Sequence, residues 1–100
     1  MAMTPEGKVK KKVVDILNKY GVYYFFPATG GYGRSGVPDI VCCCKNGQFF
    51  AIECKANGKN PTALQAREID RINDAGGVAI VVRDTDVALL EKFLKESKFV

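Results

Sequence analysis

Histidine is absent from the 100-residue chain. That absence excludes Ser-His and Cys-His nucleophilic machinery, His-Glu-x-x-His zinc sites and any imidazole general base, so catalysis must use carboxylates, lysine and metal. Also missing is any apolar run near the roughly 20 residues of a membrane-spanning helix. The opening Met-Ala-Met-Thr-Pro-Glu-Gly-Lys carries charge with no apolar stretch behind it to make a signal peptide. The expectation is therefore a cytoplasmic protein with no membrane partner. There is no internal repeat, low-complexity stretch or linker. Cysteine is scarce and oddly placed: Cys42, Cys43 and Cys44 are consecutive and Cys54 stands alone, a spacing unlike a disulfide framework or paired zinc-binding cysteines.

What is present fits one globular domain spanning 1–100. A chain that is 47% hydrophobic and 26% charged is not disordered, and at this length it buries roughly two-thirds of its unfolded surface. The net charge of +4 is lopsided: residues 1–59 hold nine basic and four acidic side chains, residues 60–100 six and seven. The basic half is where an anionic partner would dock. Thr4 and Pro5 form an N-cap and first-turn pair, and Val9, Val13, Ile16, Leu17 and Tyr20 recur at helical spacing up to Gly21. A β-rich run, Val22 to Phe26, precedes a glycine-rich loop expected to be mobile. Val37–Cys44 and Gln48–Lys55 read as strands joined by Lys45-Asn46-Gly47. Asn60, Pro61 and Thr62 open a second helix with Leu64, Ile69 and Ile72 on one face, closed by Gly76-Gly77. Val78–Val82 is an apolar strand, and Asp84 or Asp86 caps a last helix carrying Val87, Leu90, Phe93 and Leu94. The order αβββαβα predicts an α/β fold with a mixed central sheet flanked by helices.

The hairpin carries the chemistry. A three-residue loop ending in glycine is a common closure, and with Cys44 paired to Gln48 it sets Asp39 directly opposite Glu53, about 5 Å away at Cβ. Like charges so placed destabilise a sheet unless something positive lies between them, and a hard divalent cation is the economical candidate. A two-residue turn would instead slip the register and place Asp39 opposite Cys54. Strand alternation sets Lys55 on the face of Glu53. Glu-x-Lys occurs three times, at Glu6, Glu53 and Glu96, but only Glu53 and Lys55 end an otherwise apolar strand, where a charged pair costs desolvation. Glu6 falls within the apolar stripe of helix one, aimed at the sheet; as a first-turn acid it is otherwise explained by the helix dipole. Gln65 shares the inward stripe of helix two, or forms a capping box with Thr62.

These pieces together, Glu6, Gly36-Val-Pro-Asp39, Ile52-Glu-Cys-Lys55 and Gln65 ahead of an Ala-Gly-Gly turn, resemble the PD-(D/E)xK nucleases, and among them the VRR-NUC group in the minimal stand-alone form found in bacteriophages. Similar strings occur in archaeal-type junction resolvases and restriction enzymes. The resemblance implies a restriction-endonuclease-like core, Mg²⁺ or Mn²⁺ held by Asp39, Glu53 and the main-chain carbonyl of Cys54, and Glu6 completing the site directly or through water. It also implies that Lys55 orients or deprotonates the attacking water and offsets transition-state charge, while Gln65 positions the lysine, the water or a phosphate. If phage-encoded, the protein would act in the host cell cytoplasm.

The expected function is metal-dependent, structure-selective endonucleolytic cleavage of DNA. With one site per chain, paired incisions in a four-way junction require a symmetric homodimer. The alternatives are a catalytically silent nucleic-acid-binding module and a nuclease acting on flaps or single nicks; a weaker third is an interaction protein with structural ion pairs. For DNA contacts the sequence offers Arg34 and Ser35, with Tyr32 for stacking, and Lys8, Lys12 and Lys59. A solvated helix face or an ordinary surface loop are their bland readings. The loop lacks the Gly-Lys-Ser/Thr ending of a P-loop. Alternation sends Cys42 and Cys44 to one side of the sheet and Cys43 to the other, so they pack as small apolar residues and do not converge on an ion. The same rule splits Tyr24 and Phe26 from Tyr23 and Phe25, one pair being available to a partner subunit.

Overall fold

Thr4 lies in extended backbone and its hydroxyl accepts from the Gly7 N–H at 3.0 Å, so the computed structural model, which describes residues 3–28 and 33–100, begins its first helix where the cap predicts. Helix α1 spans Pro5–Lys19. It is followed by β1 (Tyr23–Phe25), β2 (Ile40–Cys43), β3 (Phe49–Cys54), α2 (Ala63–Asp74), β4 (Val78–Val82), a single 3₁₀ turn at Asp84–Asp86 and α3 (Val87–Glu96). The predicted αβββαβα order is the observed one. The sheet runs β1-β2-β3-β4, with the first three strands antiparallel and β4 parallel to β3. That last pairing requires a crossover, and α2 supplies it. No described helix is long and apolar enough to cross a membrane.

The hairpin closes through Lys45-Asn46-Gly47: Cys44 N–H donates to the Gln48 carbonyl at 3.0 Å, Gly47 N–H to the Cys44 carbonyl at 2.8 Å, and Gly47 takes φ 81°, the left-handed conformation this loop needs. Ile40 consequently faces Ile52 and Cys42 faces Phe50. Alternation then builds two different faces. Ile40, Cys42, Cys44, Phe50, Ile52 and Cys54 point to a core completed by Val9, Val13 and Leu17 of α1 and Leu90 and Leu94 of α3. Cys43 is exposed, and all four cysteines are free; burial pushes the thiols of Cys42 and Cys54 up to about 12, which leaves them unionised packing groups.

The opposite face lies under α2. Both ends of that helix are tied down: Thr62 caps it, and Asn73 near its end exchanges hydrogen bonds with the backbone of Ala79 in β4. Leu64, expected inside, is 47% exposed. At 100° per residue the inward stripe is centred on Gln65, Glu68, Ile69 and Ile72, leaving Leu64 at its margin. The observed strands are also shorter than predicted, although hydrogen bonding continues past the end of β3, where Lys55 N–H donates to the Val82 carbonyl at 3.0 Å. Of the aromatic cluster, Tyr24 is half-buried and donates to Asn18 Oδ1. Tyr23, Phe25 and Phe26 are exposed, and the Lys10 ammonium sits 4.1 Å above the Phe26 ring.

Gly36 locks the segment before β2 onto α2. Its φ is 83°, and a Cβ there would lie 2.6 Å from both the carbonyl carbon and oxygen of Leu64. Gly36→Ala should therefore destabilise the fold by on the order of 2–3 kcal/mol, combining backbone strain with a backbone collision. Gly47→Ala, with a similar φ and nothing within 4 Å, should cost only about 1 kcal/mol. Urea denaturation of the two variants checks this, and equal losses would show that the contact with α2 is unimportant.

Candidate active site

The strand register carried one step beyond Ile40–Ile52 puts Asp39 opposite Glu53, as the three-residue loop requires. Odd-numbered N–H groups of β3 point to β4, so Cys54 N–H points to the β2 side, beyond the end of that strand and opposite a proline. The Asp39 side chain meets it, Oδ2 accepting from Cys54 N–H at 2.8 Å. In an antiparallel strand a residue's N–H and C=O share a direction, which turns the Cys54 carbonyl to the side of Asp39.

Glu53 is 2% exposed. Its Oε2 lies 3.4 Å from the Gln65 side-chain nitrogen, while Oε1 is buried with no hydrogen-bond partner. Burial first, and then the Asp39 carboxylate, push its pKa up to about 8, with Lys55 opposing and Glu6 adding to the rise. An unpartnered oxygen in such a place is costly, and this donor set fits a hard cation: two carboxylates, one oxygen vacant, with a main-chain carbonyl beside them. Among the described residues no three acidic or cysteine side chains converge on a common point, so oxygens other than carboxylates would complete the shell.

Lys55 is buried on the same face, its ammonium 3.8 Å from Glu6 Oε1. Glu6 is in the first turn of α1 and 48% exposed. It reaches over the end of the sheet to the lysine and is not enclosed in the apolar stripe. Gln65 fulfils both of its sequence readings. Its Oε1 accepts from Thr62 N–H at 2.9 Å and its own N–H donates to Thr62 Oγ1, a complete capping box, while its amide nitrogen turns to Glu53. The cap fixes the side chain that then meets the carboxylate.

The basic residues divide. Lys12 pairs with Asp84, Lys11 with Asp15 and Lys19 with Glu91, so three of the five lysines of α1 are locally neutralised. Lys8 and Lys12 line a surface cavity of about 690 Å³ with Val9 and Asn57. Lys59 shares a smaller hollow with Glu6, Thr4, Pro5 and Ala56, which brings it to the edge of the site. Ser35 is exposed and Arg34 is paired with Glu68. Tyr32, with residues 29–31 of the glycine-rich loop, lies outside the described residues. Sequence reasoning missed Glu68, which is 4% exposed. The available signal was its place three residues after Gln65 on the same inward stripe.

Residues 6–83 match the family described as archaeal Holliday junction resolvase (Hjc). The chain is also similar to "Putative nuclease p44" of Acyrthosiphon pisum secondary endosymbiont phage 1, with 35% identity over 89 residues, 88% of this chain and 92% of that protein. A solved structure described as "VRR_NUC domain" superposes with TM-score 0.76 at 27% identity, covering 90% of this chain and 97% of the other. A second, described as "VRR_NUC domain protein", has TM-score 0.69 at 16% identity over 95% and 91% of the two chains, a likeness of fold alone.

The Asp39–Glu53 opposition has a measurable consequence. With its folded pKa at about 8 against an ordinary 4.5, Glu53 loses its proton in the unfolded chain first as pH rises. In metal-free buffer the fold therefore loses stability between about pH 5 and pH 8, and keeps it at lower pH as far as this group is concerned. Glu53→Gln, which cannot ionise, should be more stable than the parent at pH 8 by on the order of 1–3 kcal/mol and nearly equal to it at pH 5. Urea denaturation in EDTA at both pH values reads the difference, and a pH-independent gap would rule out repulsion and desolvation as its cause.

Proposed function

Because the chain belongs to the archaeal Holliday junction resolvase (Hjc) family and has the VRR-NUC nuclease fold, we propose that it is a divalent-metal-dependent DNA endonuclease that hydrolyses phosphodiesters in branched substrates, foremost four-way junctions, as a homodimer. The observation that carries this reading is the pair Asp39 and Glu53, opposed by strand register, with a buried Glu53 oxygen left unpartnered and the Lys55 ammonium on the same face.

Asp39, Glu53 and the Cys54 carbonyl would hold Mg²⁺ or Mn²⁺, with Glu6 adding its oxygen directly or through water. Such an ion supplies Lewis acidity toward a phosphoryl oxygen and makes water a better nucleophile at neutral pH. Every other role falls to side chains. Lys55, desolvated and held by Glu6, places a fixed positive charge where negative charge grows on the phosphoryl oxygens, and can orient or take a proton from the attacking water. Gln65, anchored by its own helix cap, holds the Glu53 carboxylate in orientation or donates to a substrate phosphate. Lys59 at the rim, Arg34 and Ser35 before β2, and Lys8 and Lys12 along α1 contact the DNA backbone.

The dimer follows from the substrate. Two symmetric incisions need two sites, and a two-fold axis provides them. Tyr23 and Phe25, exposed on edge strand β1, are the surface such a pairing would cover. With a phage nuclease among its relatives, the chain would work in the host cell cytoplasm. A silent DNA-binding module is the competing reading, but it has no use for a buried, unpartnered carboxylate oxygen that costs stability.

A panel of linear, flap, splayed-arm and four-way-junction DNAs with Mg²⁺ or Mn²⁺ should show cleavage preferring the junction. Asp39→Asn and Lys55→Ala should fold but lose activity by about 10² or more. Mg²⁺ or Mn²⁺ should raise the melting temperature of the parent and leave that of Asp39→Asn unchanged. Binding without cleavage under both metals would favour the silent module, and sedimentation showing only monomer at micromolar protein would remove the dimer.

A further inference from the structure

Glu68 has no part in the site just described. It lies on the inward stripe of α2 one turn beyond Gln65, is 4% exposed, and its Oε2 has no hydrogen-bond partner. Each of its oxygens faces a different guanidinium: Oε1 is 3.6 Å from Arg34 and Oε2 is 3.6 Å from Arg71. The arginines come from unrelated segments, the loop before β2 and the next turn of α2. Both are more than half exposed, at 58% and 55%. The three side chains line a cavity of about 360 Å³ whose remaining walls include Phe49, Ile72 and Gly77.

Stability does not account for this arrangement. Exposed arginines contribute little when paired to a carboxylate, and burying that carboxylate costs desolvation that an apolar side chain would avoid. Position 68 lies between Gln65 and Ile72 on a stripe that an apolar residue would suit. What the carboxylate does is gather two guanidiniums at one place and hold them while their outer N–H groups stay open to solvent. The cluster keeps a net charge of +1. Two guanidiniums drawn to one buried negative charge beside a concave surface are the chemistry that binds a tetrahedral oxyanion. Since Gln65 touches Glu53 and Glu68 follows one helical turn along, roughly 5 Å, a strand lying on Asp39 and Glu53 would continue over this cavity.

We propose that Arg34 and Arg71, gathered by the buried carboxylate of Glu68, seat a backbone phosphate of the DNA strand that flanks the bond cut at Asp39 and Glu53. The proposal rests on the nuclease reading of the neighbouring site for its choice of ligand. Glu68 is a positioning residue that never meets the DNA, and the arginines bind the backbone without reading sequence.

The test measures binding apart from cleavage. Fluorescence anisotropy with a labelled four-way junction in EDTA, repeated over a salt series, gives both affinity and the slope of log K against log salt. Arg34→Gln combined with Arg71→Gln should weaken binding about ten-fold and reduce the slope by about 1, the amount expected for one phosphate contact. The double variant leaves the buried Glu68 carboxylate without a cation and should melt below the parent, so binding is read at a temperature where circular dichroism shows both proteins folded. Glu68→Gln makes the surface more positive yet should also weaken binding several-fold, because the forks are no longer held; Glu68→Asp should restore part of the loss. An unchanged slope in the double variant, or tighter binding by Glu68→Gln, overturns the phosphate seat. The two readings fail separately. A parent protein that never cuts with Mg²⁺ or Mn²⁺ but shows the expected slope change loses the nuclease reading and keeps the seat. One that cuts while its double variant keeps the parent slope loses only the seat.

Discussion

Two carboxylates of like charge are forced together at the end of a hairpin, and the rest of the site is arranged around that conflict. The force is the register of β2 on β3, closed by Lys45-Asn46-Gly47 and maintained by the apolar pairs Ile40–Ile52 and Cys42–Phe50 behind it. Since a slip of one residue would turn the core face of β3 outward, the packing of Phe50 and Ile52 against α1 and α3 indirectly holds Asp39 to Glu53. Core and site are therefore one constraint read on two sides of the same strand. The repulsion is eased by neighbours, Cys54 N–H for Asp39 and Gln65 for one oxygen of Glu53, and one oxygen is left unmet.

Helix α2 acts at both ends of this problem. At its N-terminus the capping box immobilises Gln65, and the backbone of Leu64 presses against Gly36, so that the Gly-Val-Pro-Asp segment and the helix cannot move independently. One turn later the same stripe presents Glu68 to two arginines. Polar groups on the buried stripe of a helix are usually a burden on stability. Here each of them touches either the acidic pair or the basic one, and the apolar packing of the helix is left to Ile69 and Ile72.

Charge is distributed less simply than counting lysines implies. The first helix carries many, but Asp15, Asp84 and Glu91 answer three of them, and Lys10 lies on an aromatic ring. Lys55 answers Glu6 and Arg34 shares Glu68 with Arg71, so what remains among the described residues is Lys59 at the edge of the site and Lys8 on the adjoining cavity. Electrostatic attraction of an anionic polymer depends on such uncompensated groups more than on net charge.

The order of elements, the hairpin register, the opposition of Asp39 and Glu53, the split of the cysteines and the cap shared by Thr62 and Gln65 were all legible in the amino-acid sequence. Each is a local matter of turn chemistry or of a period of two or 3.6 residues. The burial of Glu53 and Lys55, the reach of Glu6 over the sheet end, the exposure of Leu64 and the grouping of Glu68 with two arginines were decided only by tertiary structure. They depend on which helix covers which face and by how much it is rotated. Pairs such as Lys12 with Asp84, 72 positions apart, follow no local pattern, because proximity between distant residues is a product of packing and has no period in the chain.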